Sequence, residues 1–195
     1  MTGSREGFLI LIGGVGIERL FELWLSTRNA RLALARGGVE AESRAFYALM
    51  VATHAAFLAA AAIEVTHHDP PFLPALAGPM LALVAGAMAL RYWAVRSLGE
   101  RWNTRVVVVP GEPAVVAGPY RYVRHPNYVA VAVEMFALPL VHTAWRTAAL
   151  FSAANALLLW RRIEHEETAL RRHADYDARL GDRGRFLPGA GRRAR

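Results

Sequence analysis

Residues 118–128 read GPYRYVRHPNY, a polar link between two apolar runs. It gathers Arg121, Arg124, His125, two prolines and three tyrosines. A link that only joined two helices needs neither that many donors nor that many rings. Gly118-Pro119 and His125-Pro126 interrupt helix and free backbone groups. Tyr120, Tyr122 and Tyr128 offer aromatic surface, and the two arginines offer forks for a carboxylate or phosphate. A second polar cluster, RIEHEETAL, lies at residues 162–170. Its Glu166 and Glu167 suit an ammonium or a ribose diol. The alternative for the first stretch is an interfacial belt, where Tyr and Arg are ordinary.

Outward from the link, apolar helix-like runs cover about residues 7–25, 45–65, 73–94, 128–143 and 145–162. About 20 residues cross a hydrocarbon core. The first three runs meet that length. The last two are short and separated by His142-Thr143-Ala144, which predicts a tight helical hairpin that spans or re-enters. The expected fold is therefore all-α, a multi-pass transmembrane bundle of about five helices with a C-terminal hairpin and a cytoplasmic cofactor pocket. Three parts are expected: N-terminal helices over 1–95, a core over 96–188, and a disordered basic tail over 189–195.

The 195 residues are 54% hydrophobic yet carry a net charge of +7, a segregated pattern that points to a membrane protein. Arginines crowd the links after runs one and three and the tail after run five, while the link 66–72 has none. The positive-inside rule then places the N-terminus outside and the C-terminus in the cytoplasm. Cysteine is absent, which excludes disulfides and a thiolate nucleophile. Charges follow the first apolar run where a cleavage site would stand, so that run reads as a retained helix. Four valines before Pro110-Gly111 favour a short extended passage and a turn.

Several ionisable residues sit inside apolar runs, where they are costly and usually face a bundle interior or a wet cavity. Glu18, Arg19 and Glu22 share run one, Arg91 closes run three, and Glu134 lies roughly 9 Å deeper than Tyr128 at about 1.5 Å per residue. The competing reading is an ion-pair set that fixes helix packing. For Glu134, which has no partner nearby in sequence, a functional cavity is the preferred reading. His54 reads as an interhelical hydrogen bond. Gly14-Val15-Gly16 lacks the third glycine of a dinucleotide fingerprint, His67-His68-Asp69 is too sparse for a metal site, and the basic tail carries no nucleic-acid module.

GPYRYVRHPNY, RIEHEETAL and then ADYDARLGDRGRFLP together resemble the isoprenylcysteine carboxyl methyltransferase family of integral membrane enzymes. The matching elements are Gly118 to Arg121, Arg124 to Tyr128, Glu166-Glu167, Tyr176 and Arg185 to Pro188, within residues 96–188. LSTRNARLALARGGVE and RWNTRVVVVPGEP are similar to a bacterial branch, some members of which accompany synthases of alkylresorcinols and alkylpyrones. The resemblance implies an S-adenosylmethionine cofactor held by Gly118, Pro119, Tyr120, Arg124, His125, Pro126, Tyr128, Glu166 and Glu167, with no metal. Ala130 stands where the family often has glycine, and a glycine common before the tail tyrosine is missing; both bear on the acceptor pocket.

The expected reaction moves a methyl group to a carboxylate or hydroxyl oxygen of a lipophilic substrate that arrives from the bilayer. A phenol would gain from a base; Glu134 is the candidate, with Arg91, Arg105 and Asn127 on the acceptor side. Membrane lipids are the surrounding partners, nucleic acid is not expected, and a bacterial inner membrane is the expected location. An NADPH-dependent membrane reductase and a lipid-binding scaffold are the alternatives. The oligomeric state is not legible.

Overall fold

The computed structural model describes residues 2–189. Of the expected basic tail, residues 190–195 lie outside the described residues. Among those described, the order is α1 (Thr2–Ala35), β1 (Val39–Glu40), α2 (Arg44–His68), α3 (Pro74–Leu98), β2 (Val107–Val108), α4 (Pro126–Leu140), α5 (Trp145–His173) and α6 (Tyr176–Leu180). Short 3-10 turns cover Gly99–Arg101 and Gly118–Arg121.

The local chemistry explains where these helices begin and end. Ser43 caps α2 by accepting from the backbone N–H of Phe46. Asp69, with φ 42°, ends it in a left-handed turn. Pro74 and Pro126 stand at the first positions of α3 and α4, where a missing N–H costs nothing. Packing then follows from the apolar faces. Phe8, Ile12 and Val15 repeat at helical spacing on α1 and meet Phe57, Ala61 and Val65 of α2 in one core with Val84, Met135 and Leu138. Small buried residues of α3 (Ala77, Ala87 and Ala94) lie along the helix that packs on α4, and small residues let helix backbones approach closely.

The five long helices alternate in direction. Arg5 of α1 reaches the carbonyl of Thr66 at the end of α2, and Thr143 after α4 reaches that of Pro71, so these turns share one end of the bundle. At the other end Ser26 and Asn29 of α1 bond the 102–104 segment. That end also holds the 118–128 link and the last turns of α5, and it receives most of the arginines. Two helical stretches, Arg44–His68 and Pro74–Arg101, are long and apolar enough to cross a membrane. The other three differ from a simple span. α1 carries three ionisable residues at mid-length, α5 turns polar beyond residue 160, and α4 has 15 residues, about 22 Å at 1.5 Å each.

The valine passage forms β2 and the chain turns at Pro110-Gly111, as its composition suggests. Its strand partner is the link after α1: Val39 pairs with Val108 and Glu40 with Val107, antiparallel.

Candidate active site

The 118–128 link and the 162–170 stretch come together. His125, the residue before α4, places its Nε2 3.1 Å from Glu167 Oε1, and the Tyr128 hydroxyl donates to Glu166. The His125 and Tyr128 rings stack at 5.3 Å between centroids. The C-terminal segment then clamps the link. The backbone N–H groups of Arg124 and His125 donate to the carbonyls of Gly184 and Arg185, both at 3.0 Å. Arg183 donates to the Tyr120 carbonyl at 2.6 Å. Gly118 seats the near end of the link against α3. Its φ is +58°, and a Cβ there would lie 1.9 Å from Ser97 Oγ and 3.0 Å from Trp93 Nε1; no other residue fits.

Two cavities adjoin this junction. The larger, about 270 Å³, lies between α1, α2, α4 and α5. Its deeper walls are Gly16, Leu20, Leu23, Val51, Ala55 and Leu58. Leu20 on this wall is 68% exposed, so the apolar part of the cavity reaches the surface of the bundle at α1. The smaller, about 150 Å³, is walled by Arg36, Arg101, Arg105, Glu112, Tyr176 and the extended backbone of residues 105–109 and 112–115. Leu98, Asn103, Tyr120, Arg124, His125 and Glu166 line both cavities and form a common wall.

The two neighbouring glutamates part company here. Glu166 lies on the common wall. Glu167 has no exposed surface and lines neither cavity. It accepts from His125, Tyr176 (3.2 Å), Arg171 (3.0 Å) and Arg185 (3.0 and 2.8 Å). Burial alone would raise its pKa, but the His125 and Arg185 hydrogen bonds outweigh that and hold it below the ordinary carboxylate range. Burial, reinforced by Glu166 for Tyr120 and by Glu167 for Tyr176, pushes both phenols up, so they stay neutral.

The remaining candidates separate. Asn127 and Arg91 line the larger cavity, Arg105 the smaller one, where it pairs with Glu40 at 3.3 Å and lies over the Tyr47 ring. Arg105 is thus not grouped with Arg91. The sequence offers Glu134 no local partner; the fold supplies two. Arg19 of α1 and Arg91 of α3 lie 2.8 and 2.9 Å from Glu134 Oε2, and both also pair with Glu22. Glu134 is buried and off the cavity lining. Its packing is that of an ion-pair set rather than of a free carboxylate facing an acceptor. Pro119 and Pro126 are buried and shape the backbone. His54 bonds the Met50 carbonyl within its own helix instead of a neighbouring one, and lines the larger cavity.

Arg162 is the site residue that sequence reasoning missed. It holds buried Glu42 through both carboxylate oxygens at 3.1 Å, the Tyr128 hydroxyl at 2.9 Å and the Thr104 carbonyl. Burial raises the Glu42 pKa, and Arg162 opposes that without cancelling it. The one available signal was an arginine closing an apolar run.

Comparison with known proteins adds two findings. Residues 80–172 match the model of the isoprenylcysteine carboxyl methyltransferase family. The chain is 33% identical over 167 residues to the uncharacterized protein YpbQ of Bacillus subtilis, covering 86% of this chain and 98% of that one. It is 29% identical over 153 residues to an uncharacterized protein of Haemophilus influenzae, covering 78% and 88%.

Proposed function

The chain belongs to the isoprenylcysteine carboxyl methyltransferase family, and on that premise we propose that it is a membrane enzyme moving a methyl group from S-adenosylmethionine to an oxygen of a lipophilic acceptor. The observation that carries this reading is the wall shared by two cavities of different character. The residues of the smaller one fit the cofactor. Arg36, Arg101 and Arg105 can take its carboxylate, Glu166 its ammonium or ribose hydroxyls, and Tyr120 and Tyr176 present ring surface. The larger one suits a greasy acceptor, because its deep walls are apolar and reach the surface of the bundle at α1.

When bound, the cofactor supplies a methyl carbon already activated by its sulfonium. The protein therefore has to align the acceptor oxygen and exclude water, and such positioning supplies about 7–11 kcal/mol in favourable cases. Asn103, Tyr120, Arg124, His125 and Glu166 stand where the two ligands would meet. Glu167 fixes the His125 ring and ties the C-terminal clamp to the link, so its part is to hold the site closed. If the acceptor is a hydroxyl, Glu166 is the carboxylate placed to take its proton. Glu134 is better suited to orienting Arg19 and Arg91, since it is buried off the cavity lining and its Oε2 already accepts from both guanidinium groups. Arg91 and Asn127 remain acceptor-side contacts. A long-chain phenol or enol and a prenylcysteine-like carboxylate are both within this class.

The same reading has all five long helices in the membrane, with the arginine-rich end in the cytoplasm of a bacterium. Titration of the purified protein in detergent with S-adenosylhomocysteine and with NADPH is the direct test, followed by transfer of a radiolabelled methyl group into a total lipid extract. The expected outcome is binding of the first nucleotide alone, with labelled lipid product. His125→Ala should weaken that binding at least tenfold. A reductase would bind NADPH, and a scaffold would bind neither.

A further inference from the structure

Arg162 and Glu166 stand four residues apart on α5, the spacing at which opposite charges on a helix pair directly. Here they do not. Arg162 commits its terminal nitrogens elsewhere: Nη1 donates to both oxygens of Glu42 at 3.1 Å, and Nη2 donates to the Thr104 carbonyl. Its Nε donates to the Tyr128 hydroxyl at 2.9 Å, and Tyr128 in turn donates to Glu166 Oε2. Chemistry fixes the direction of this chain. A guanidinium has donors only, so the phenol oxygen accepts from Arg162 and its single proton goes to Glu166. The bridge leaves Glu166 oriented but without a counter-charge. Among the described residues the smaller cavity is lined by two acids, Glu112 and Glu166. Glu112 already pairs with Arg101 at 2.9 Å and Arg36 at 3.8 Å. No arginine among the described residues lies within ion-pair distance of Glu166, whose side chain is 30% exposed and whose Oε2 is 4.0 Å from His125 Nδ1. Its Oε1 has no hydrogen bond among the described residues.

We propose that Arg162 is a positioning residue of the cofactor site: through Tyr128 it holds Oε2 of Glu166 and leaves Oε1 for the ammonium at the amino-acid end of the cofactor. This rests on the methyltransferase reading and gives the bridge a purpose within it. A direct Arg162–Glu166 pair would neutralise the one acid of the smaller cavity that is free to receive a cation. A Glu166 with no partner would keep its rotamer freedom and lose it on binding, which weakens the complex. A tyrosine between the two transmits orientation without transmitting charge. Glu42 completes the arrangement. Its side chain has no exposed surface, and it balances the Arg162 charge inside the bundle. The guanidinium is thereby a neutralised anchor that joins the link before α2, residue 104 and α4 to α5.

The test uses the full chain in detergent with two nucleosides, S-adenosylhomocysteine and methylthioadenosine, which lacks the amino-acid end. Tyr128→Phe keeps the ring that stacks on His125 and removes only the hydroxyl. It should weaken S-adenosylhomocysteine by roughly fivefold to tenfold, the worth of one hydrogen bond, and methylthioadenosine by less than about twofold. Arg162→Lys keeps a charge beside Glu42 but loses the fork that serves three partners at once, and should show the same selective loss. The double variant should bind no worse than the weaker of the two single variants, because both changes cut one chain. Should the melting curve show that Arg162→Lys has failed to fold, Glu42→Gln with Arg162→Gln replaces it, a pair that leaves no buried charge unmatched. Equal loss of both nucleosides is what a merely structural role gives, and it would overturn the proposal. So would variants that hold S-adenosylhomocysteine within about twofold of the parent, or a double variant whose loss is the product of the two single losses. A parent chain that does not bind S-adenosylhomocysteine would overturn the methyltransferase reading itself, and the proposal with it.

Discussion

Glu166 and Glu167 are adjacent in the chain and about 100° apart around a helix of 3.6 residues per turn. That rotation divides their work. Glu166 faces the cavities, while Glu167 turns inward to join His125, Arg171, Tyr176 and Arg185. That the acidic stretch meets the link was expected from the arginine placement, which puts both clusters on one face, together with the family resemblance. Which acid met which partner was not, because the rotation of α5 is set by packing along its whole length. Glu167→Gln should lower stability by about 2–3 kcal/mol, as charge-assisted hydrogen bonds become neutral ones. Arg171 and Arg185 reach water and limit the loss, whereas His125 and Tyr176 stay buried. The pH dependence has a definite sign. The folded pKa of Glu167 lies below its unfolded value of about 4.3. Its contribution is therefore complete at neutral pH and is lost as pH falls below about 4 toward the folded value. Melting curves of parent and Glu167→Gln should differ most at pH 7 and converge under acid. A gap that stays constant to pH 3 would show that the charge is not what stabilises the junction.

At the scale of elements, the five long helices were visible as apolar runs, but their ends were not. α1 continues to Ala35 and α5 to His173, each about ten residues past its apolar run. Hydropathy falls there because the helices turn amphipathic, with one face packed and the other charged. These extensions carry much of the site: Ser26 and Asn29 pin the 102–104 segment, and Glu166 and Glu167 meet Tyr128 and His125. The β1–β2 pairing was half visible, since two-residue strands have no period to read and the partner of the valines lies over sixty residues away. The turn at Gly118–Arg121 was announced by its Gly-Pro pair, and the structure supplies the reason for the glycine. Gly118→Ala would force a positive φ on alanine, at about 1–3 kcal/mol, and press a methyl group onto Ser97. The turn should lift from α3 and carry Tyr120 with it. The expected result is a drop in S-adenosylhomocysteine affinity of at least tenfold with helix content by circular dichroism unchanged. Pairing it with Ser97→Gly should return part of the affinity, because the clash is relieved while the strain remains.

For the molecule as a whole, the decisive asymmetry is between its two ends. One end gathers the 118–128 link, the strand pair, α6 and most of the arginines; the other has the turns at 69–73 and 141–144, with Arg5 and Arg146 nearby. Charge placement and chain direction agree independently, since alternating helices must return every arginine-rich segment to the same end. Under the proposed function, a water-soluble cofactor would reach that end from the cytoplasm, and an acceptor with a long apolar tail would reach the exposed apolar wall at Leu20 from the bilayer. Both demands are met only if the bundle stands upright with the link at the inner surface. A chain free of cysteine makes this measurable, because single thiols can be added without background. His68 and Asp182 are exposed at opposite ends. In intact cells His68→Cys should react with a membrane-impermeant maleimide and Asp182→Cys should not; in inverted inner-membrane vesicles the two should exchange. The same reactivity for both positions in both preparations would mean that the bundle does not cross, and the exposed apolar wall would then face water rather than lipid.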